Sequence, residues 1–105
     1  MEKALIFREI DSIKAQLVEK YKPEKIILFG SVVWGDGEID DIDMFIIKAN
    51  VPHYGVDRIR ELDRLISRKI AADMLVYKPE EVKERLTIGD PFLKKIFEKG
   101  KVIYG

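Results

Sequence analysis

Three short apolar runs, separated by segments with helical periodicity, constrain the fold of this 105-residue chain more than any other feature. The runs are KIILF at 25–29, DIDMFIIK at 41–48 and IAADMLVY at 70–77. Short runs that are apolar on nearly every residue are typical of strands buried on both faces of a sheet. The chain is therefore predicted to build its core around a small sheet.

Segments with helical spacing precede, separate and follow these runs. Residues 2–21 place apolar side chains at 6, 10, 13 and 17, as on one side of an amphipathic helix. A short helix is expected at 31–34, and another around 59–66, where a crossover favours parallel pairing of the strands on either side. Pro79 and Pro91 are typical of first helical turns, and 101–104 is predicted as an edge strand. These elements predict one α/β domain over residues 1–105.

Composition narrows the kinds of site the chain can carry. Its 19 basic and 19 acidic residues cancel, which argues against non-specific binding of nucleic acid. Without cysteine and with His53 as the single histidine, the chain has no disulfide and no zinc site built from cysteines or several histidines. Carboxylates remain as metal ligands, and His53, between Pro52 and Tyr54, is expected to be an ordinary loop histidine.

The termini and hydropathy indicate a cytoplasmic protein. No apolar run approaches the roughly 20 residues of a membrane span, and MEKALIFREI lacks the pattern of a signal peptide. A domain this small has little room for an enclosed cavity, so substrates are expected on an open face or against a partner.

Three features suggest chemistry: Gly30-Ser31 directly after the first strand, Asp41-Ile42-Asp43 at the start of the second, and Asp73 in the third. Residues i and i+2 of a strand point to the same face about 6.5 to 7 Å apart, so Asp41 and Asp43 are able to approach common metal ions. Mg²⁺ suits such oxygen ligands, and two ions can promote displacement at phosphorus. Asp73 is predicted to supply a third carboxylate.

The Gly30-Ser31 turn is predicted to bind phosphate. Glycine permits close approach to the backbone, and a helix beginning at Ser31 would present its hydroxyl and free N–H groups to the triphosphate of a nucleotide. Ordinary alternatives stand beside each feature. The turn has the composition of a plain strand end, and Asp73 that of a partner for lysine or arginine. Gly35, Asp36 and Gly37 predict a loop, and its acidic residues have the composition of a solvated turn: Asp36, Glu38, Asp40, Asp41 and Asp43. Trp34 is suited to core packing or to stacking on a nucleobase.

The segment FGSVVWGDGEIDDIDMFII resembles the G-S-x(n)-D-x-D signature of the DNA polymerase β-like nucleotidyltransferases, and most closely their minimal nucleotidyltransferase group. The similarity extends over nearly the whole chain, through ADMLVY and KPEEVKER to FLKKIFEKGKVIYG. It implies a nucleotidyltransferase fold, an α+β arrangement with a small mixed sheet of three to four strands flanked by helices. Two departures are Val32, Val33 and Trp34 where members often have arginine, and Asp40 where they often have serine.

The resemblance also implies an activity and a partner. Asp41 and Asp43 match the metal-binding pair, Asp73 matches the carboxylate that helps to deprotonate the acceptor, and Gly30 and Ser31 match the phosphate-binding turn. The implied reaction moves AMP from ATP, or from another NTP, to a hydroxyl of a partner protein and releases pyrophosphate. That partner would be a small helical HEPN protein, in a toxin–antitoxin hetero-oligomer. The alternative functions are a non-catalytic nucleotide-binding module that acts by partner contact, and transfer to a small molecule such as an aminoglycoside.

Overall fold

A computed structural model describes residues 2–35, 39 and 41–105 of the chain. The helices are α1 (Lys3–Gln16), continued by a π-helical turn (Leu17–Tyr21), α2 (Ser31–Trp34), α3 (Gly55–Leu65), α4 (Pro79–Thr87) and α5 (Pro91–Lys99). The strands are β1 (Lys25–Phe29), β2 (Ile42–Ile47), β3 (Ala72–Tyr77) and β4 (Lys101–Tyr104). This is the predicted order of elements. The predictions for Asp36, Gly37, Glu38 and Asp40 lie outside the described residues.

The four strands form one mixed sheet in the order β3-β2-β1-β4. Strand β1 pairs antiparallel with both β2 and β4. Strand β2 pairs parallel with β3, and α3 makes the connection between them. The parallel pairing expected from a helical crossover is therefore confirmed, as is the edge position of the last strand. The architecture is an α+β arrangement with a four-stranded mixed sheet flanked by helices, as the resemblance implies.

Helices cover both faces of the sheet, because successive residues of each strand point to opposite sides. On one face, Ile26, Met44 and Val76 pack with the apolar stripe of α1 and with α3. On the other, Ile27 and Phe45 pack with apolar side chains of α4 and α5, and we call this side the α4/α5 face. The continuously apolar strands follow from burial on both sides.

The start of β3 differs slightly from prediction. The apolar run begins at Ile70, but the strand begins at Ala72. The backbone N–H groups of Lys69 and Ile70 donate to the carboxylate of Glu9 on α1, a residue only 8% exposed. Since Glu9 satisfies these donors, the backbone there does not join the sheet.

The π-helical turn that continues α1 ends where the sequence indicates, at Tyr21, directly before Lys22-Pro23. Lys22 adopts a left-handed conformation with φ 57°, and its N–H donates to the carbonyl of Leu17 at 2.8 Å. Proline then prevents further helix. Within the described part of the chain, no helix is long and apolar enough to span a membrane.

Candidate active site

Asp43 and Asp73 occupy the same register position on neighbouring strands. They are Cα partners in the parallel β2–β3 pair, so their side chains project from the same face of the sheet. This is the α4/α5 face, because Asp43 alternates with the buried Met44 of the opposite face. Asp73 is exposed, whereas Asp43 is partly buried. Sequence patterning placed these residues on two strands, and the pairing of the strands brings them together at one end of the sheet.

Asp41 completes the acidic group from just outside β2. It is exposed and directly precedes the strand, which begins at Ile42 rather than at Asp41 as predicted. Partial burial raises the pKa of the Asp43 carboxyl above its usual range, and the charges of Asp73 and Asp41 raise that pKa further. Asp73 and Asp41 therefore each lie near enough to Asp43 to repel its carboxylate. No lysine or arginine in the described ranges forms an ion pair with Asp73.

Gly30 lies against the Asp43 carboxylate and has a backbone that disfavours side chains. Its φ of 76° and ψ of −154° fall in a region used almost only by glycine. A Cβ atom built at this position would overlap Oδ2 of Asp43 and lie 3.0 Å from its Cγ. Glycine is thus required here both by the backbone and by the neighbouring carboxylate. This is more specific than an ordinary turn at a strand end.

Ser31 begins α2, which is a single helical turn. The backbone N–H groups of Val33 and Trp34 both donate to the carbonyl of Gly30 at 3.0 Å, which closes the turn. The short helix predicted at 31–34 is confirmed, and it starts at the residue after Gly30. The Gly-Ser turn and the Asp41, Asp43 and Asp73 carboxylates therefore share one end of the sheet. The phosphate-binding role of Gly30 and Ser31 stays a prediction.

The side chains at this end of the sheet fit a hard cation such as Mg²⁺. Their donors are carboxylate oxygens, and a cation would offset the partial burial and the repulsion that together raise the pKa of Asp43. In residues 2–35, 39 and 41–105, no three aspartate, glutamate, histidine or cysteine side chains converge closely enough to hold a metal ion by themselves. Mg²⁺ commonly keeps waters and binds substrate phosphates in addition to one or two carboxylates. Aspartates that share the metal with a nucleotide are consistent with this arrangement.

Trp34 packs into the protein beside the Gly-Ser turn. Its ring centroid lies 6.1 Å from that of Phe29, and the ring borders the core of the α4/α5 face. The Nζ atom of Lys95 lies 4.5 Å from the centroid of the Trp34 ring. Lys95 and Phe92 both belong to α5, and the ring of Phe92 packs edge-on against that of Phe29, with 5.6 Å between the ring centroids. Of the two interpretations of Trp34, the structure favours core packing.

His53 lies at the other end of β2 and β3, away from the aspartates. It belongs to the loop that follows β2, and its ring packs edge-on against Tyr54 at 4.8 Å. Its carbonyl accepts a hydrogen bond of 3.1 Å from Arg58. The expectation of an ordinary loop histidine agrees with this position.

Arg58 organises that opposite end. It is 4% exposed, and all five of its N–H donors have an acceptor. They reach the carbonyls of Pro52, His53 and Val76, and both carboxylate oxygens of Glu81 at 2.7 and 3.0 Å. The hydrogen bond from Arg58 is the main reason that the pKa of Glu81 lies below its usual value. We call Arg58, Glu81 and the three carbonyls the Arg58 cluster.

Sequence reasoning missed two buried charged side chains, Glu9 and Arg58. Both occupy apolar stripes, since Glu9 follows Ile6 by three residues and Arg58 precedes Leu62 by four. A charge on the buried side of a helix was the available signal. Gln16 acts with Glu9, because its amide exchanges two hydrogen bonds with the backbone of Ser67, at 2.7 and 2.8 Å. Together they fix the segment that leads to β3 and Asp73.

Comparisons with known proteins agree with this geometry. The model of the family described as "Polymerase beta, Nucleotidyltransferase" matches residues 11–105. No curated protein matches the chain. A crystal structure from Sulfolobus solfataricus, described as that of a candidate nucleotidyltransferase, has a TM-score of 0.52 and 24% sequence identity over 81% of this chain and 82% of its own. At this identity, the likeness to the Sulfolobus protein supports the fold alone.

The family match covers both halves of the site. It includes the Gly-Ser turn, all three aspartates and helices α2 to α5. The chain therefore belongs to the polymerase β-type nucleotidyltransferase family.

Proposed function

We propose that this nucleotidyltransferase moves AMP from ATP to a hydroxyl group of a partner protein, with Mg²⁺ as cofactor. The observation that supports this most directly is the contact between the two parts of the site. The Asp43 carboxylate fills the space beside Gly30, and Asp73 lies in register with Asp43 on the next strand. A phosphate near the Gly-Ser turn would therefore be next to the carboxylates.

The proposed reaction is an in-line displacement at the α-phosphorus. The acceptor oxygen forms a bond to phosphorus, the bond to the oxygen that bridges the α- and β-phosphates breaks, and pyrophosphate leaves. Asp73, exposed at the edge of the site, accepts the proton of the acceptor hydroxyl. Asp41 and Asp43, with Asp73, would hold Mg²⁺, which supplies charge stabilisation for the phosphates. Gly30 and Ser31 bind the phosphate tail.

The shape of the site supports a macromolecular acceptor. Asp41 and Asp73 are exposed, and β3 is the outer strand of the sheet at this side. A protein surface is able to present a hydroxyl to such an open edge. A small helical HEPN protein, with the chain acting as antitoxin, is the partner that the sequence resemblance suggests.

Radiolabel transfer tests this proposal. The purified chain is incubated with Mg²⁺, a candidate HEPN partner and ATP labelled either at the α- or at the γ-phosphate. AMP transfer predicts protein-bound label from α-labelled ATP alone, because the γ-phosphate leaves with pyrophosphate. The double variant Asp41→Asn/Asp43→Asn is expected to lose the label, whereas Asp11→Asn, an exposed carboxylate on α1, is expected to retain it.

The alternatives predict different results. Label from the γ-phosphate would indicate phosphoryl transfer rather than AMP transfer. If neither wild type nor any variant gives label while wild type and the double variant bind the partner equally well, the contact-only module becomes the better account. Labelling of a small molecule instead of protein would support transfer to a small-molecule acceptor.

A further inference from the structure

One lysine of α5 is held beside the proposed phosphate site. Lys95 is exposed, and its Nζ atom lies 4.5 Å from the centroid of the Trp34 ring. Attraction between an ammonium group and the face of an aromatic ring restricts a side chain that would otherwise sample many rotamers. Among the described residues, Lys95 forms no ion pair with a carboxylate. The contact with Trp34 therefore gives this charge a preferred position.

That position lies on the aspartate side of the sheet. Trp34 follows Ser31 by three residues, so the two share one side of the single turn of α2. The Trp34 ring packs against Phe29, which is the Cα partner of Asp43 in the β1–β2 pair. Lys95 is thus beside the Gly-Ser turn and on the same face as Asp43.

The turn itself provides no positive side chain. Residues 32–34 are valine, valine and tryptophan, and the carboxylates of Asp41, Asp43 and Asp73 are nearby. A nucleotide would bring more negative charge to this end of the sheet, and a positioned ammonium group is a common partner for phosphate. We propose that Lys95 binds the β- and γ-phosphates of the nucleotide and supplies from α5 the positive charge that α2 lacks. This inference rests on the proposed function and assigns a phosphate ligand within that site.

A second lysine near the turn fits this role less well. Lys3 and Ser31 line a cavity of about 330 Å³ between α1 and α2, together with Val32 and Val33. Those valines pack against the core of the opposite face of the sheet. Lys3 therefore borders the turn from the α1 side, whereas Lys95 lies on the face that carries Asp43. It serves as a control for the effect of charge alone.

Binding measurements on the whole chain test the role of Lys95. The ligands are α,β-methylene ATP with Mg²⁺, which does not undergo transfer, inorganic tripolyphosphate and adenosine. Calorimetry gives the affinities for wild type and for Lys95→Gln, with Lys94→Gln and Lys3→Gln as matched controls. Trp34 is the single tryptophan, so its fluorescence reports whether the ligand reaches this part of the molecule.

The expected result is selective. Lys95→Gln should lower the affinity for the ATP analogue and for tripolyphosphate by about tenfold, the loss expected for one charge-assisted hydrogen bond. The affinity for adenosine should not change. Lys95→Arg should restore most of the affinity, and the two control variants should bind as wild type does. Ligand binding should change the fluorescence of Trp34.

Other results would overturn the inference. An equal loss of phosphate-ligand affinity in all three glutamine variants would indicate a general electrostatic effect. Unchanged affinity in Lys95→Gln would show that Lys95 does not contact the phosphates. An equal loss for adenosine would mean that Lys95 only supports Trp34. In each of these cases wild type still binds the nucleotide, and the proposed function stands. If wild type binds no nucleotide with Mg²⁺, nucleotidyl transfer itself is overturned and the role of Lys95 with it.

Discussion

The two ends of the β2–β3 pair carry opposite kinds of electrostatics. At the ends where both strands begin, Asp41, Asp43 and Asp73 place like charges together, and the pKa of Asp43 is raised. At the ends where both strands finish, Arg58 pairs with Glu81, and the pKa of Glu81 is lowered. One end therefore disfavours the charged state of a carboxyl in the free protein, whereas the other favours it.

This difference separates residues that hold the fold from residues suited to a ligand. The Arg58 cluster satisfies every donor of a buried guanidinium, so it is complete without a ligand. The acidic end, by contrast, is expected to be stabilised by a bound cation that offsets the repulsion between its carboxylates. Natural proteins tolerate such local destabilisation where activity requires it. Removing a charged side chain should consequently lower stability at the Arg58 cluster and raise it at the acidic end.

Arg58→Ala is expected to have the largest effect on stability. It leaves three carbonyls without their donor and Glu81 without its partner, so the free energy of unfolding should fall by about 3 kcal/mol. Arg60→Ala is the matched control, since that side chain is 70% exposed and should change stability by less than about 0.5 kcal/mol. Urea denaturation followed by circular dichroism measures both. Equal effects would show that the Arg58 cluster is not what stabilises this end.

Gly30→Ala should come next, with a loss of about 1 to 3 kcal/mol. Alanine would adopt φ 76° with strain, and its Cβ would overlap the Asp43 carboxylate. Gly89→Ala separates these causes, because Gly89 also has a positive φ, 79°, but has no atom within 4 Å of an added Cβ. Thermal denaturation of both variants should show the larger loss at Gly30. If the losses are equal, the contact with Asp43 adds nothing to backbone strain.

Glu81→Gln should have a smaller effect that depends on pH. The lowered pKa of Glu81 contributes stability that is fully present above the ordinary glutamate value of 4.5 and is lost as the pH falls through the lowered value. The side chain is 37% exposed, so water screens the pair and the loss at pH 7 should be at most about 1 kcal/mol. Unfolding free energies from pH 7 to pH 3 should converge for wild type and variant. A gap that does not narrow would assign the effect to packing rather than to charge, and Glu84→Gln serves as the control.

Asp43→Asn should produce the smallest change and the opposite sign. In EDTA the variant is expected to be more stable than wild type by about 0.5 kcal/mol, because it removes a partly buried charge that Asp73 and Asp41 repel. Added Mg²⁺ should stabilise wild type and leave the variant unchanged. Melting temperatures with EDTA and with Mg²⁺ test this, with Asp11→Asn as the control. A variant that is less stable than wild type in EDTA would contradict the comparison.

Much of the fold follows from local patterns. The order of elements, the helix starts at Pro79 and Pro91 and the parallel β2–β3 pairing all agree with prediction. Asp90, directly before Pro91, caps α5, and its carboxylate accepts hydrogen bonds from the N–H groups of Phe92 and Leu93. These features depend on periodicity, proline and capping, which act within a few residues of the chain. The start of β3 was misplaced because Glu9, about 60 residues away, supplies the hydrogen bonds there.

The sequence by itself determined which side chains are available for chemistry and on which elements they lie. Strand alternation, the Gly-Ser turn and the family signature identified Gly30, Ser31, Asp41, Asp43 and Asp73 as candidates. Strand register was decided only in the tertiary structure. Register places Asp73 beside Asp43 and gives Gly30 a contact that explains the need for glycine. The position of Lys95 over Trp34 could not be predicted from the sequence either. Lys95 follows Trp34 by 61 residues, and the two meet only because α5 packs against the sheet. Long-range packing has no local sequence pattern. For this reason the sequence identified the candidate site residues, whereas their relative positions could be known only from the tertiary structure.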